Sequence, residues 1–390
     1  MSPQPAKTAA PTGINPKLRQ WPASRPVSKA ALLIGLLAGA VLGAILTRID
    51  RWAGNQTGLT GLFFLAYVWL GVVIHELGHA IASRLAGMRL LAFYVWPFAF
   101  SRLAGGWDVR MGGQFWGGYV LPQADRLENL RKRLSFAIAG GPAASFLAAG
   151  ACVLAALLLP ASMAAWRAML SGTAMFSCGL GLLALYPTSG AFADSDGRQL
   201  LTLRKGGPVA DRFEAILMLI GASSRGIRPR DYDPEMVQRL SFGDIAGYTS
   251  RDASNSHAAS ANIVRYNHAV DCGHLAQAQG ILEAALTCKV APITRQALFL
   301  EAAWFEAAHC RNATAAEAWL RSARLAKRSR PEQRVAELKA RAAISAARQK
   351  WLEARRQASD ALALCGRIDA GIAVATRDYL EQVIAHSEPV

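Results

Sequence analysis

Four long apolar segments dominate the first half of the chain. They run from Ala30 to Leu46, from about Leu59 past Ala82, from Phe136 to Leu159, and from about Ala164 to Tyr186. An α-helix needs about 20 apolar residues to cross the hydrocarbon core of a bilayer. The pattern therefore predicts a polytopic transmembrane core with about four spans.

A different pattern fills the segment between the second and third apolar runs. From Met88 to Leu121, aromatic and β-branched residues alternate with glycine and proline. This composition is typical of short strands and hairpins. A packed amphipathic loop is the alternative. As strands, the segment would lie against the membrane domain and could receive an extended peptide by strand addition.

The last third of the chain is rich in alanine and charged residues at helical spacing. Three units each contain a helix, a polar break and a second helix. The alanines Ala278, Ala318 and Ala354 recur in these units at intervals of 40 and 36 residues. The interval is close to the tetratricopeptide period of about 34, although the consensus pattern is missing. A helical-repeat domain is predicted, and an unrelated helical bundle is the alternative.

Together these patterns predict a mainly α protein. The membrane core carries a short membrane-associated β segment, and a soluble α-helical repeat domain follows it. The expected parts are a disordered basic N-terminus (1–28), a transmembrane core (29–205), a helical linker (206–250) and a repeat domain (251–390).

The basic residues indicate a topology. The formal net charge is +16, but no zinc-finger pair, RNA-binding signature or basic zipper accompanies it, so we expect no nucleic-acid partner. Lys and Arg concentrate in the N-terminus, in the segment between spans two and three, and after span four. Because cytoplasmic segments are enriched in Lys and Arg, both termini are expected in the cytoplasm. We expect a multi-pass protein of the bacterial inner membrane.

The sequence His75-Glu76-Leu77-Gly78-His79 lies near the cytoplasmic end of span two. Ionisable residues are costly in a membrane and usually mark function. Residues i and i+4 share one face of a helix, so His75 and His79 can bind one metal ion. Zinc suits neutral imidazole ligands, and Glu76 could take a proton from a zinc-bound water. The expected cofactor is one zinc ion, with Glu76 as the catalytic residue.

A catalytic zinc usually has three protein ligands. The other five histidines lie in the C-terminal part, so the third ligand should be acidic. Asp194 and Asp196, just beyond span four, form the acidic cluster at the right depth. The residues alone leave both candidates open.

The combination of these motifs resembles the site-2 protease family of intramembrane zinc metalloproteases. An HExxH in a membrane span, Gly141-Pro142 at the start of a later span and Asp196-Gly197 beyond the last span carry the resemblance. It covers roughly Leu59 to Leu201. The resemblance implies that His75, His79 and Asp196 bind zinc and that Glu76 is the general base.

Two positions depart from the family pattern. Members often have Asn after Gly-Pro-x-x, where this chain has Ser145, and Asn before the Pro that precedes Asp-Gly, which is missing before Pro187. If those amides position the substrate strand, substrate handling here differs. Neither change removes an expected metal ligand.

The predicted function is zinc-dependent cleavage of a transmembrane or membrane-proximal segment of a client protein. The expected partners are a membrane-protein substrate, the lipid bilayer and a protein partner at the repeats. The alternative is a non-proteolytic membrane scaffold or metal-binding module that recruits partners through those repeats. A metal transporter would need more polar residues along the other three spans, which have almost none.

Overall fold

The computed structural model describes residues 11–21, 41, 43–54, 63–103, 106–111, 117–188, 194–241, 256–288, 290–325 and 330–386. Most of the predicted first span, Ala30–Leu46, lies outside these residues. Residues 43–53, which include the last four residues of this predicted span and continue beyond it, are helical.

Three helices are long and apolar enough to cross a membrane within the described residues. They are α1 (Phe64–Leu85), α2 (Leu130–Leu158) and α3 (Ala164–Leu185). They correspond to the predicted second, third and fourth spans. The residues after α2 and α3 are extended, which suits the prolines at 160 and 187 that cannot continue a helix.

Small residues let α1 and α2 approach closely. A Cβ added to Gly78 would lie 2.4 Å from the carbonyl oxygen of Gly140, and one added to Gly140 would lie 2.6 Å from the carbonyl oxygen of Gly78. Membrane helices use such residues because lipid supplies little apolar driving force for their association. The contact brings the middle of α2 against the histidine-bearing half of α1.

The predicted strands are confirmed as a small antiparallel sheet. Its strands are β1 (Arg89–Val95), β2 (Phe98–Leu103), β3 (Gly106–Met111) and β4 (Gly118–Gln123), in the order β3-β2-β1-β4. β1 turns back along α1, and the indole nitrogen of Trp69 donates to the carbonyl of Trp96, 2.6 Å away. From Trp69 to Leu85 the helix rises about 24 Å. The tip of the β1–β2 hairpin therefore lies beside the first turns of α1, about 24 Å from the end of that helix.

Three short helices link the membrane part to the C-terminal part: α4 (Asp196–Lys205), α5 (Pro208–Ser224) and α6 (Pro234–Arg239). Arg228, in the connector after α5, donates to both carboxylate oxygens of Asp271 and to Asp378. The hydroxyl of Ser223 donates to Asp369. These bonds fix the connector to the C-terminal helices.

The C-terminal part contains seven helices among the described residues. They are α7 (Ser256–Asp271), α8 (Leu275–Thr287), α9 (Pro292–Ala308), α10 (Ala313–Ser322), α11 (Pro331–Ala347), α12 (Trp351–Leu362) and α13 (Ala370–Ala385). Consecutive helices pack in pairs, α7 with α8, α9 with α10, and α11 with α12. Each pair has the expected form of two helices joined by a polar break, while a helical-repeat domain of tetratricopeptide type stays a prediction.

Residues 11–21, which we call the N-terminal strap, pack against the C-terminal helices. Ile14 is buried, and its backbone N–H donates to Glu306, 2.6 Å away. The indole of Trp21 donates to the carbonyl of Ser322 at 2.8 Å and meets Phe299 edge-on. The contact concerns residues 11–21 alone, and the disorder expected for 1–28 as a whole stays a prediction. Three apolar side chains, Ile14, Leu18 and Trp21, pack against the C-terminal helices and, with backbone hydrogen bonds, dock a segment that has no periodic apolar face.

Replacing Ile14 with Ala should release the N-terminal strap. Removing a buried Ile side chain costs about 2 kcal/mol or more, so the Ile14 amide should exchange with solvent deuterons about 30-fold faster. Lys17→Ala, at an exposed position of the same segment, is the control. Equal exchange in both variants would show that Ile14 does not hold the strap.

Candidate active site

His75, Glu76 and His79 lie in the C-terminal half of α1. His75 and Glu76 are buried, with exposed fractions of 6% and 7%. One helical turn separates the two histidines, so their Nε2 atoms come within 3.2 Å of each other. His75 is ten residues from the end of α1, which places it about 15 Å from that end.

Asp196 is the first residue of α4 and is held by its neighbours. The hydroxyl of Ser195 accepts from the N–H of Arg198 as the N-cap and donates to the carbonyl of Tyr186 at 2.7 Å. Gly197 packs so tightly that an added Cβ would lie 1.8 Å from the carbonyl oxygen of Leu185. The start of α4 is therefore fixed against the end of α3, and the Asp196 carboxylate points to α1.

The three predicted ligand side chains meet in space. Oδ2 of Asp196 lies 3.1 Å from Nε2 of His75 and 3.3 Å from Nε2 of His79. Among the described residues, these form the group of His, Cys, Asp and Glu side chains that could hold a metal ion. A tetrahedral zinc with bonds of about 2.0–2.1 Å separates neighbouring ligand atoms by about 3.3 Å. The donor set and its spacing fit zinc.

Each histidine uses its other ring nitrogen in a hydrogen bond. Nδ1 of His79 lies 3.0 Å from the carbonyl oxygen of Ala137, and Nδ1 of His75 lies 2.9 Å from the hydroxyl of Ser145. A carbonyl can only accept, so Nδ1 of His79 carries a proton, and in the neutral ring Nε2 keeps its lone pair for a metal. Metal-binding histidines commonly have such partners.

Two glycines make room for the site. A Cβ at Gly141 would lie 2.3 Å from Nε2 of His79, and a Cβ at Gly118 would lie 2.7 Å from the carboxylate oxygen of Glu76. Gly141 is on α2 and Gly118 begins β4. A side chain at either position would displace a predicted site residue.

A cavity of about 290 Å³ opens beside these residues. Its wall includes His75, Glu76, His79 and Asp196 together with most of β4, which is an edge strand of the sheet. Asp194 also lines the cavity, but it is not among the three grouped ligand side chains. The geometry thus favours Asp196 over Asp194 as a ligand.

The sequence did not assign Ser145 or Gly118 to the site. In the sequence, Ser145 is distinctive only as a departure from the Gly-Pro-x-x pattern, and Gly118 lies in an aromatic segment without a distinguishing signal. Both become visible only when α2 and β4 are placed against α1.

The fold and the site together define a membrane protein with a metallopeptidase-type His-Glu-His-Asp constellation. Residues 63–364 match the profile of peptidase family M50. The chain therefore belongs to this family of membrane zinc metalloproteases. No curated protein and no solved structure shows a significant match to the chain.

Proposed function

We propose that this protein is a zinc-dependent intramembrane endopeptidase of the site-2 type. It cleaves a transmembrane or membrane-proximal segment of a client protein. The observation that carries the proposal is the meeting of His75, His79 and Asp196 at zinc-ligand spacing, inside a span and beside Glu76.

Each side chain has a separate role. His75, His79 and Asp196 would hold the metal, which supplies Lewis acidity at a free coordination position. Glu76 is not one of the three ligands and lines the cavity beside them. Its carboxylate takes the proton from the attacking water and can pass it to the leaving amine.

The substrate binds as an extended strand beside β4. Residues 118–122 of this edge strand line the cavity that contains the ligands. A peptide that adds to a sheet edge satisfies its backbone hydrogen bonds there. This matters because a helical client must unwind before its peptide bond becomes accessible, and unwound backbone in a membrane needs new partners.

The active site opens toward the cytoplasm in this proposal. The N-terminal strap contacts the C-terminal helices, so both lie on one side of the membrane. The end of α1, the start of α2 and the end of α3 lie on one side by the order of the spans. The abundance of Lys and Arg there supports the cytoplasmic assignment.

The C-terminal helical domain recruits or positions the client. Its helix α11 reaches the sheet, because Arg110 on β3 donates to Glu332 at 3.0 Å and 3.2 Å. A protein bound beside α11 would therefore lie against the same sheet whose opposite edge, β4, borders the active site. The contact supports a role in substrate delivery.

Metal removal tests the proposal directly. The purified protein in liposomes should cleave a membrane-anchored reporter within or next to its transmembrane segment. Incubation with 1,10-phenanthroline should abolish cleavage, and added zinc should restore it, because the metal supplies the Lewis acid. The non-chelating isomer 1,7-phenanthroline is the control. Zinc-loaded protein that leaves every reporter intact would instead support a metal-binding scaffold.

A further inference from the structure

One hydroxyl group lies directly behind a predicted metal ligand. The side chain of Ser145, on α2, is completely buried. Its Oγ lies 2.9 Å from Nδ1 of His75, while Nε2 of the same ring lies 3.1 Å from the carboxylate of Asp196. The two ring nitrogens of His75 thus face different partners.

Ser145 belongs to a row of residues that α2 presents to the histidines. Ala137, Gly141 and Ser145 are four residues apart, so they share one face of the helix. The first accepts a hydrogen bond from His79, the second leaves room for the His79 ring, and the third contacts His75. Four residues of helix rise about 6 Å, which is also the rise from His75 to His79. The spacing of these three residues along α2 therefore matches the spacing of His75 and His79 along α1.

The hydrogen-bond partners of the two histidines differ in chemistry. The carbonyl partner of His79 can only accept, whereas a serine hydroxyl can accept or donate. For Nε2 of His75 to offer its lone pair to a metal, Nδ1 must carry the proton and donate it to Ser145. A neutral imidazole has one N–H, so the metal-binding tautomer is the one in which the Ser145 hydroxyl accepts from Nδ1.

We propose that Ser145 is a positioning residue for the metal centre. It accepts the Nδ1–H of His75, fixes the ring orientation, and keeps Nε2 available for zinc. This inference rests on the proposed zinc site. The family pattern suggests a different role for this position, where an Asn amide would position the substrate strand. Ser145 instead contacts a predicted metal ligand.

Ser145→Ala removes the hydroxyl without adding volume. The zinc dissociation constant of the full-length protein in detergent, measured by competition with a chromophoric chelator, should rise about 10–100-fold. Ser145→Thr, which keeps the hydroxyl, should bind zinc more tightly than Ser145→Ala. The matched control is Ser177→Ala on α3. Ser177 is equally buried, and its hydroxyl has no hydrogen-bond partner within the described structure.

The visible absorption of the cobalt-substituted protein provides a second readout. A changed ligand orientation should alter the cobalt bands of Ser145→Ala and leave those of Ser177→Ala unchanged. Equal zinc affinity in the two alanine variants would overturn the proposal, even if Ser145→Ala lowers the unfolding temperature. A wild type that binds zinc tightly but cleaves nothing would refute the peptidase function and leave the role of Ser145 intact.

Discussion

Glu76→Gln should lower the rate of reporter cleavage by about 10²–10⁴-fold while the protein keeps its zinc. Glutamine has nearly the same shape as glutamate, but its amide cannot accept the proton of the attacking water. Glu76 lies in the wall of the cavity and is not one of the three grouped ligand side chains. The substitution therefore separates proton transfer from metal binding.

The measurement for Glu76 is single-turnover cleavage of the reporter in liposomes, with zinc content determined on the same samples. Glu128→Gln is the control, since Glu128 is exposed just before α2 and does not line the cavity. Turnover that survives in zinc-loaded Glu76→Gln would exclude Glu76 as the base.

Gly141→Ala should nearly abolish zinc binding and cleavage together. Its new methyl group would lie 2.3 Å from Nε2 of His79 and 2.5 Å from Cε1, far inside van der Waals contact. The His79 ring, or α2 itself, must move to relieve the clash. A displacement of about 1 Å can cost about 100-fold in rate, and here it would also move a metal ligand.

Gly150→Ala provides a matched control for this substitution. Gly150 lies on the same helix, and a Cβ added there would meet no described atom within 4 Å apart from its chain neighbours and the nearby backbone of its own helix. This variant should keep wild-type zinc content and activity. If Gly141→Ala also behaves like the wild type, His79 does not hold the metal in the arrangement described.

The sequence predicted the histidine pair because helical periodicity alone places His75 and His79 on one face. Periodicity could not choose between Asp194 and Asp196, since the choice depends on where α4 begins. Family resemblance favoured Asp196, and the structure provides a physical reason: the Ser195 cap and the Gly197 contact aim Asp196 at α1.

Other features depend on contacts between segments that are distant in the chain. Ile14 and Trp21 are single apolar residues in a polar terminus, so no periodic signal indicates that they pack on helices almost 300 residues away. Ser145 likewise looks like an ordinary small residue of a membrane span. Its contact with His75 depends on the close approach of α2 to α1, which the small residues Gly78 and Gly140 permit.

The placement of β-structure beside α1 was partly predictable. Glycine and aromatic spacing indicated strands between Met88 and Leu121, and the sheet covers Arg89–Gln123. The strand order was not accessible, because β1 lies between β2 and β4 rather than at an edge. That order makes β4 the edge strand next to the cavity.

The zinc content of purified Asp196→Ala, measured beside that of the wild type, is the sharpest test of the three-ligand site. Asp196 is the ligand that joins α4 to the histidine pair. We expect one zinc per wild-type chain and little or none in the variant, which should retain its fold by circular dichroism. Full zinc occupancy in Asp196→Ala would contradict the three-ligand site on which the proposed peptidase mechanism depends.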